Sequence, residues 1–488
     1  MIELDGGDGR RHDFWRQLMI RGNDDKNFTL GEIMAGQREL LIKNAIREVA
    51  ISLAFIVLVA MVARITFAWN QARKIPPGVL AIVPFQQETG NIAYSLTQGK
   101  GFGSVFRADT GPTAWLAPVY PLLVAGIFKI FGSFTTRAFF AAVFLNILFS
   151  SAACVPVFLA GKRIGGLGVA SVAAWLWALF PSAIMMPFEW IWDTSLSALL
   201  AGTILWATLA LAGSNRVLHW CGYGLLWGFA LMTNPALGAL LPFLIGWLAC
   251  RGRLTYCGLG KSGQRWKRVG LAAGVAILCC GPWTIRNYTA FHRFIPLRSN
   301  LPFELWLGNN DIFDEHARNG RKVITRTEET RRYAQLGETA YMQEKWQLAL
   351  SFIASHPGLE LRFAGRKFAA FWTGVVSPFR TLRETDSNLV RGILLCSLFT
   401  AVGAFVGVLI LWRRRSAITF ILAAFPVIFP CLYYVTHADL RYRNPIDPVL
   451  CLLTAIAARS AWELARAREH MGAGAATAGD GGSVGASN

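Results

Sequence analysis

Residues 390–412 read VRGILLCSLFTAVGAFVGVLILW and are followed directly by Arg413, Arg414 and Arg415. About 20 apolar residues in a helix are needed to cross the roughly 30 Å hydrocarbon core of a bilayer. The stretch is long enough for this, and a cluster of arginines is typical of a segment end that faces the cytoplasm. The stretch therefore predicts a transmembrane helix with a defined orientation.

The composition of the whole chain extends this prediction to a polytopic membrane protein. Its 488 residues are 54% hydrophobic, and the mean hydropathy of +0.40 is higher than a soluble domain needs. The nine cysteines lie in or beside apolar runs and predict neither disulfides nor a metal cluster. Although the formal net charge is +19, its basic residues fall in short gaps between apolar runs. We therefore predict a bilayer as the partner, and no nucleic acid.

We predict an all-α fold with about ten transmembrane helices, interfacial helices and a mixed or mainly helical outer loop domain. The predicted spans are residues 49–69, 138–160, 166–187, 193–213, 217–233, 235–250, 269–285, 390–412, 417–436 and 445–463. The apolar stretch at 118–132 is shorter and contains two prolines and a lysine. If it does not cross, all short basic clusters lie on one side of the membrane, so we predict an interfacial or re-entrant helix there.

This map divides the chain into five parts and places both termini in the cytoplasm. The parts are a cytoplasmic segment at 1–47, a transmembrane core at 48–285 with a first outer loop at 70–137, a large outer loop at 286–389, C-terminal spans at 390–463 and a disordered cytoplasmic tail at 464–488.

The large outer loop contains two predicted helices. Tyr341, Leu348 and Phe352 follow one another at helical spacing within 327–355, and the helix should end at His356 because Pro357 follows. The next segment, LRFAGRKFAAFW at 361–372, mixes cations and aromatics, which favours an interfacial helix.

Several carboxylates on the outer face are candidates for chemistry. Glu88, in FQQETGNIAYSLTQGKGF at 85–102, could act as a general base or only favour a helix N-terminus. Glu189 and Asp193 are four residues apart and would share one helix face, where they could hold a divalent ion or an acceptor; Asp193 could instead be an N-cap. Asp109 is explained by a turn.

Cations on the same face could clamp a phosphate at headgroup depth or simply anchor the protein to lipid headgroups. The candidates for substrate binding are Lys100, Arg107, Arg286, Arg298, His437, Arg441 and Arg443. His437, beside the last two, is predicted to form hydrogen bonds, because no second histidine lies at metal-ligand spacing. The spans carry no mid-membrane charge pairs, which weakens a transporter function and favours an enzyme at the outer surface.

Five motifs in this order resemble the GT-C glycosyltransferases over roughly residues 48 to 460. They are GNIAYSL at 90–96, TGPTAW at 110–115, TNPAL at 233–237, PWTIRN at 282–287 and RYRNPIDP at 441–448. The pattern looks like the branch that contains protein O-mannosyltransferases and the lipid A aminoarabinose transferase.

The resemblance implies an inner-membrane enzyme that moves a sugar, with inversion, from a polyprenyl-phosphate donor to a glycan, lipid or protein acceptor at the periplasmic face. It implies Glu88 as the base and the cations as phosphate partners. The family usually has Asp, often Asp-Glu, in the first outer loop, whereas Gln86, Gln87 and Glu88 stand here, so Asp193 and Asp109 remain alternatives. No cofactor is certain and a divalent metal is left open. The other functions considered are a lipid-linked glycan flippase or transporter and a non-catalytic envelope glycan assembly protein.

Overall fold

Helices dominate the fold in the residues that the computed structural model describes, which are 48, 52–106, 108–254, 262–310, 327–375, 377–385 and 387–479. Within those ranges the only strand-like pairing is an isolated bridge between Gly103 and Pro112. The predicted all-helical fold class is therefore confirmed. In chain order the helices are α1 Leu53–Ala72, α2 Pro77–Ile82, α3 Glu88–Thr97, α4 Val119–Phe131, α5 Thr136–Ala152, α6 Cys154–Ala178, α7 Pro181–Glu189, α8 Thr194–Leu211, α9 Val217–Thr233, α10 Leu241–Leu254, α11 Ser262–Phe291, α12 Leu301–Gly308, α13 Thr327–Ser355, α14 Pro357–Thr373, α15 Pro378–Glu384, α16 Asn388–Arg413, α17 Thr419–Val427, α18 Cys431–Val435, α19 Leu440–Arg443 and α20 Asp447–Gly479.

Six helical segments in the described ranges are long and apolar enough to cross a membrane. They are Leu53–Ala72, Thr136–Ala178, Thr194–Leu211, Gln264–Phe291, Asn388–Arg413 and Asp447–Glu469. Three shorter apolar segments accompany them, at Val119–Phe131, Pro235–Cys250 and Thr419–Val435. The chain is thus a polytopic membrane protein, while the number of ten spans and their orientation stay predictions.

The segment Thr136–Ala178 folds back on itself at a pair of glycines. Gly166 has φ 74° and ψ −171°, a conformation that glycine adopts without steric penalty. Beyond it the chain runs antiparallel to the preceding helix, since a Cβ on Gly161 would lie 2.8 Å from the Cα of Ala170. The turn lies where the predicted span 166–187 begins, next to the gap that follows the predicted span 138–160.

Arg64 is a fully buried cation within α1. Its Nε donates to Ser150 Oγ at 2.9 Å, and its Nη1 donates to the carbonyl oxygens of Ala60 and Ala178, each at 2.9 Å. Ala178 is the last residue of α6, where unpaired carbonyls carry partial negative charge. A helix end, a serine of α5 and a carbonyl of α1 itself therefore supply the acceptors that a membrane-buried arginine needs.

An aromatic cluster joins three segments that the sequence map assigns to the outer face. Trp115, which is 1% exposed, packs with ring centroids 4.8 Å from Phe303 of α12, 5.7 Å from Phe106 and 5.9 Å from Tyr333 of α13. These contacts attach the loop that carries TGPTAW to both α12 and α13.

The helices of the outer loop agree with their predicted positions. α13 spans Thr327–Ser355 and is kinked at Gly337. Tyr341 and Phe352 are buried, whereas Leu348 is 46% exposed, so only two of the three residues share the buried face. α14 contains the segment 361–372, whose position on the membrane stays a prediction.

The last helix, α20, continues to Gly479, although the sequence predicted no ordered element beyond 463. The helices from Leu53 on belong to one compact unit. The domain borders drawn from the sequence remain predictions.

Gly308 ends α12 in close contact with the backbone at Thr436. A Cβ there would lie 1.8 Å from the Thr436 carbonyl oxygen, so Gly308→Ala must push α12 away from that segment. Overpacking costs about 1 to 3 kcal/mol, and we expect a lower thermal unfolding midpoint in detergent. Gly126→Ala is the control, because no atom lies within 4 Å of its added Cβ; equal midpoints for both variants would contradict the close contact.

Candidate active site

A cavity of about 270 Å³ lies where five chain segments meet. The lining residues come from 192–194, 234–236, 296–304, 432–437 and 441–445. The sequence map had placed these segments either in predicted outer loops or at the predicted outer ends of transmembrane spans. The cavity brings together two carboxylates, two arginines and a histidine, which are Asp193, Glu304, Arg298, Arg441 and His437.

Asp193 presents its carboxylate from the residue before α8. The side chain makes no N-cap hydrogen bond; instead its Oδ2 accepts from Ser197 Oγ at 2.9 Å, and Asn234 Nδ2 donates to the same Oγ at 3.2 Å. Burial raises the pKa of Asp193, while the hydrogen bond from Ser197 and the charge of Arg298 oppose this shift. A carboxylate held in this way and made more basic by burial suits proton transfer.

Glu189 does not share a helix face with Asp193, unlike the prediction. α7 ends at Glu189 and α8 begins at Thr194, because Pro187 near the end of α7 and the extended residue Trp190 interrupt the helix. Partial burial of the carboxyl group raises the pKa of Glu189, although the residue as a whole is exposed. Among the described residues, no group of three His, Cys, Asp or Glu could hold a metal ion.

Arg441 lies against aromatic rings at the wall of the cavity. Its guanidinium carbon is 4.5 Å from the ring centroid of Trp190, 5.2 Å from Trp192 and 4.8 Å from Tyr442. Nη2 donates to Tyr442 Oη at 2.9 Å. Nε and Nη1 are buried, and no acceptor for them lies in the described part of the chain. Arg441 can therefore donate hydrogen bonds from these two nitrogens to a ligand.

Neighbouring carboxylates keep Arg441 protonated although it is buried. Burial lowers the pKa of Arg441, but Tyr442, Asp439, Glu304 and Glu88 together raise it above its usual value. The net effect is a permanent cation at this wall.

Glu304 is a cavity residue that the sequence analysis missed. It lies in the first turn of α12 and accepts from Asn300 Nδ2 at 3.1 Å. Burial raises the pKa of Glu304, and the charges of Arg298 and Arg441 oppose this shift while Glu88 adds to it. The only signal in the sequence is a lone carboxylate within the apolar run LPFELWLG.

Glu88, the base predicted first, is not one of the residues that line the cavity. It is the first residue of α3 and is 7% exposed. Its charge acts on both Glu304 and Arg441, so it contributes to the electrostatics of the site.

Two predicted phosphate partners have protein acceptors instead. Arg286 donates from Nη1 to the carbonyl oxygen of Thr113 at 2.6 Å and from Nη2 to that of Phe102 at 2.5 Å, which holds the loop before α4. Arg443 is fully buried; it forms a 2.7 Å ion pair with Asp447 and donates to the carbonyl oxygen of Trp372 at 2.5 Å. Both arginines fix the fold around the site.

The remaining predicted cations differ in their positions. Lys100 forms an exposed 2.7 Å ion pair with Asp109, and neither residue lines the cavity. Arg107 lies outside the described residues. His437 does line the cavity, and its ring packs edge-on against Tyr442 with centroids 5.7 Å apart.

A second carboxylate missed in the sequence, Glu338 on α13, secures the wall that carries Arg298. Its Oε1 accepts from Ala114 N at 2.8 Å and from Ser299 Oγ at 2.7 Å. Its Oε2 accepts from Tyr333 Oη at 2.7 Å and from Thr113 Oγ1. One buried carboxylate thus joins three separate parts of the chain.

Glu338→Gln should destabilise the protein because an amide group would replace an oxygen that accepts from donors. Each buried donor left unpaired costs about 1 to 3 kcal/mol, so we expect a marked fall in the unfolding midpoint. Arg332→Gln on the same helix is the control, since its ion pair with Glu344 is exposed and should contribute less than about 1 kcal/mol. A fall of equal size in both variants would contradict this function of Glu338.

The fold and this cavity define the class of the protein as an all-helical polytopic membrane protein with a site of mixed charge at its helix ends. No family model and no curated protein matches the chain. Among solved structures, it is similar to the oligosaccharyltransferase of Archaeoglobus fulgidus in its apo form, with 14% identity and a TM-score of 0.49 over 86% of this chain and 51% of that one.

The chain is also similar to the structure of the archaeal oligosaccharyltransferase AglB from Archaeoglobus fulgidus in complex with an inhibitory peptide and a dolichol-phosphate. Its identity is 14% and its TM-score 0.46, over 89% of this chain and 52% of that one. The chain spans about half the length of these structures. The branch named from the motifs is not confirmed.

Proposed function

We propose that the cavity is the active site of a glycosyltransferase that moves a sugar from a polyprenyl-phosphate donor to an acceptor hydroxyl with inversion. The observation that supports this most directly is that Arg441 and Asp193 line one cavity, with two buried nitrogen atoms of Arg441 lacking acceptors among the described residues. An arginine fork matches a phosphate, and a carboxylate can accept the proton of a hydroxyl.

In the proposed reaction, the acceptor oxygen attacks the anomeric carbon from the side opposite the phosphate. A new carbon–oxygen bond forms while the bond from the anomeric carbon to the phosphate oxygen breaks, and its electron pair remains on that oxygen. Arg441 and Arg298 stabilise the charge that develops on the phosphate. The hydroxyl proton moves to the carboxylate of Asp193.

Asp193 is the preferred base because it lines the cavity. Its raised pKa makes its ionised form a stronger base. Glu88 remains the alternative, since it lies nearby and acts electrostatically on Arg441. Asp109 is less suited because its carboxylate is exposed and pairs with Lys100.

The same proposal places the reaction at the periplasmic face of the inner membrane, with both termini in the cytoplasm. The donor must then be lipid-linked, and its polyprenyl chain would contact the apolar helices. The acceptor is a glycan, a lipid or a protein.

The test is to incubate the purified full chain with a polyprenyl-phosphate sugar labelled in the sugar and with an acceptor pool from membrane extract. We expect release of polyprenyl phosphate and a labelled product of inverted anomeric configuration. Movement of the donor across proteoliposomes without release would instead indicate a transporter. If the chain neither transfers the sugar nor moves any donor across the membrane, this result would contradict an enzymatic function and favour a non-catalytic assembly protein.

A further inference from the structure

Two arginines of the cavity face carboxylates without forming salt bridges to them. Arg298 and Arg441 both line the cavity, yet the ion pairs within 4 Å in the described ranges involve neither. Both nevertheless act electrostatically on Glu304. The cavity of about 270 Å³ that these groups line leaves room for an anion that would contact the arginines directly.

Glu304 is the carboxylate most affected by such an anion. From α3, Glu88 acts on it with a like charge, and Arg298 and Arg441 act with opposite charges. Asp193, His437 and Tyr442 share the same cavity.

The charged groups of the neighbouring helix α13 are engaged elsewhere. Glu338 accepts four hydrogen bonds, and Lys345 pairs with Glu329 at 2.8 Å over the ring of Trp306. The charges that act on Glu304 are therefore those of the cavity and of Glu88.

We propose that Glu304 is the internal counter-anion of Arg298 and Arg441, and that a phosphate-bearing ligand replaces it in this capacity while Glu304 takes up a proton. This inference rests on the proposed function for the identity of the phosphate as that of the lipid-linked sugar donor. The coupling itself requires only an anion in the cavity.

The sign of the coupling follows from electrostatics. An anion between the arginines adds a like charge near Glu304 and offsets part of their favourable effect, so the pKa of Glu304 rises further on binding. Since protonation and binding are linked, anion affinity should increase as pH falls through the pKa range of Glu304. Affinity should reach a constant lower value once Glu304 stays ionised in both states.

Inorganic sulfate is the probe, because its charge does not change between pH 5 and pH 9 and any proton uptake belongs to the protein. Calorimetric titration of the full chain in two buffers with different heats of ionisation measures the protons bound per sulfate. We expect uptake of up to about one proton in wild type. Absence of uptake across this pH range would overturn the proposal, whatever the variants do.

Three variants assign the proton to a residue. Glu304→Gln keeps the acceptor for Asn300 and should abolish the proton uptake. It should also strengthen sulfate binding near neutral pH about tenfold for each unit by which sulfate raises the pKa of Glu304. Asp439→Asn is the matched control, since it removes a charge that also acts on Arg441 but keeps a good N-cap for α19; it should retain the uptake. Uptake that persists in Glu304→Gln and disappears in Glu88→Gln would overturn the assignment.

The sulfate measurement requires no sugar transfer. Proton-coupled sulfate binding without any transferase activity would therefore leave this proposal intact and contradict the proposed function. Transferase activity together with sulfate binding that takes up no proton would support the proposed function and contradict this proposal.

Discussion

Asp193→Asn is expected to lower the rate of polyprenyl phosphate release at least about a hundredfold, within the 10² to 10⁴ range that a general base contributes. An asparagine has nearly the same shape and can still accept from Ser197, which holds the native side chain at 2.9 Å. Only the ability to take the proton is lost, so kcat should fall while the KM for the donor changes little. The measurement is release from the labelled donor at saturating acceptor.

Two other carboxylates provide the comparison for Asp193. Asp109→Asn should leave the rate nearly unchanged, because this residue is exposed and paired with Lys100. Glu88→Gln should have a smaller effect than Asp193→Asn, since Glu88 acts on the cavity through its charge. A larger loss of kcat in Glu88→Gln than in Asp193→Asn would make Glu88 the base and contradict the assignment.

Arg441→Gln is expected to weaken donor binding by about 10-fold to 150-fold. Hydrogen bonds to charged groups contribute about 1.5 to 3 kcal/mol, and each 1.4 kcal/mol is a tenfold change. The variant removes a buried cation whose Nε and Nη1 have no acceptor in the described part of the protein. Arg441→Lys should recover only part of the loss, because an ammonium keeps the charge but lacks the planar fork.

The control for Arg441 is Lys100→Gln. Lys100 was an equally good phosphate partner by sequence, but its exposed ion pair with Asp109 lies apart from the cavity lining. Donor affinity, measured by displacement of a labelled polyprenyl phosphate, should be the same as in wild type. Equal losses in both variants would indicate a diffuse effect of net charge rather than a phosphate site at Arg441.

Much of the fold could be predicted from the sequence because the bilayer imposes strong rules on length and polarity. α13 ends at Ser355, where His356 precedes a proline, and the fold-back at Gly166 lies where the predicted span 166–187 begins. Predicting the number and orientation of spans was less direct, since short segments such as α4 are compatible with crossing or with lying at the interface.

The site was predicted less completely, for reasons of tertiary contact. Arg286 and Arg441 look alike in sequence, yet Arg286 donates to carbonyl oxygens of residues more than 170 positions away. Tertiary contacts determine which arginine has donors that can bind a ligand. Glu304 and Glu338 were missed because each is a single carboxylate without a spacing pattern, and their partners come from distant segments.

In the proposed function, the donor phosphate binds between Arg298 and Arg441 within reach of Asp193. The most direct measurement is an experimental structure of the full chain with a bound polyprenyl phosphate. We expect phosphate oxygens within hydrogen-bonding distance, about 2.7 to 2.9 Å, of Nε or Nη1 of Arg441. A phosphate that binds elsewhere on the protein while this cavity contains no ligand would contradict it.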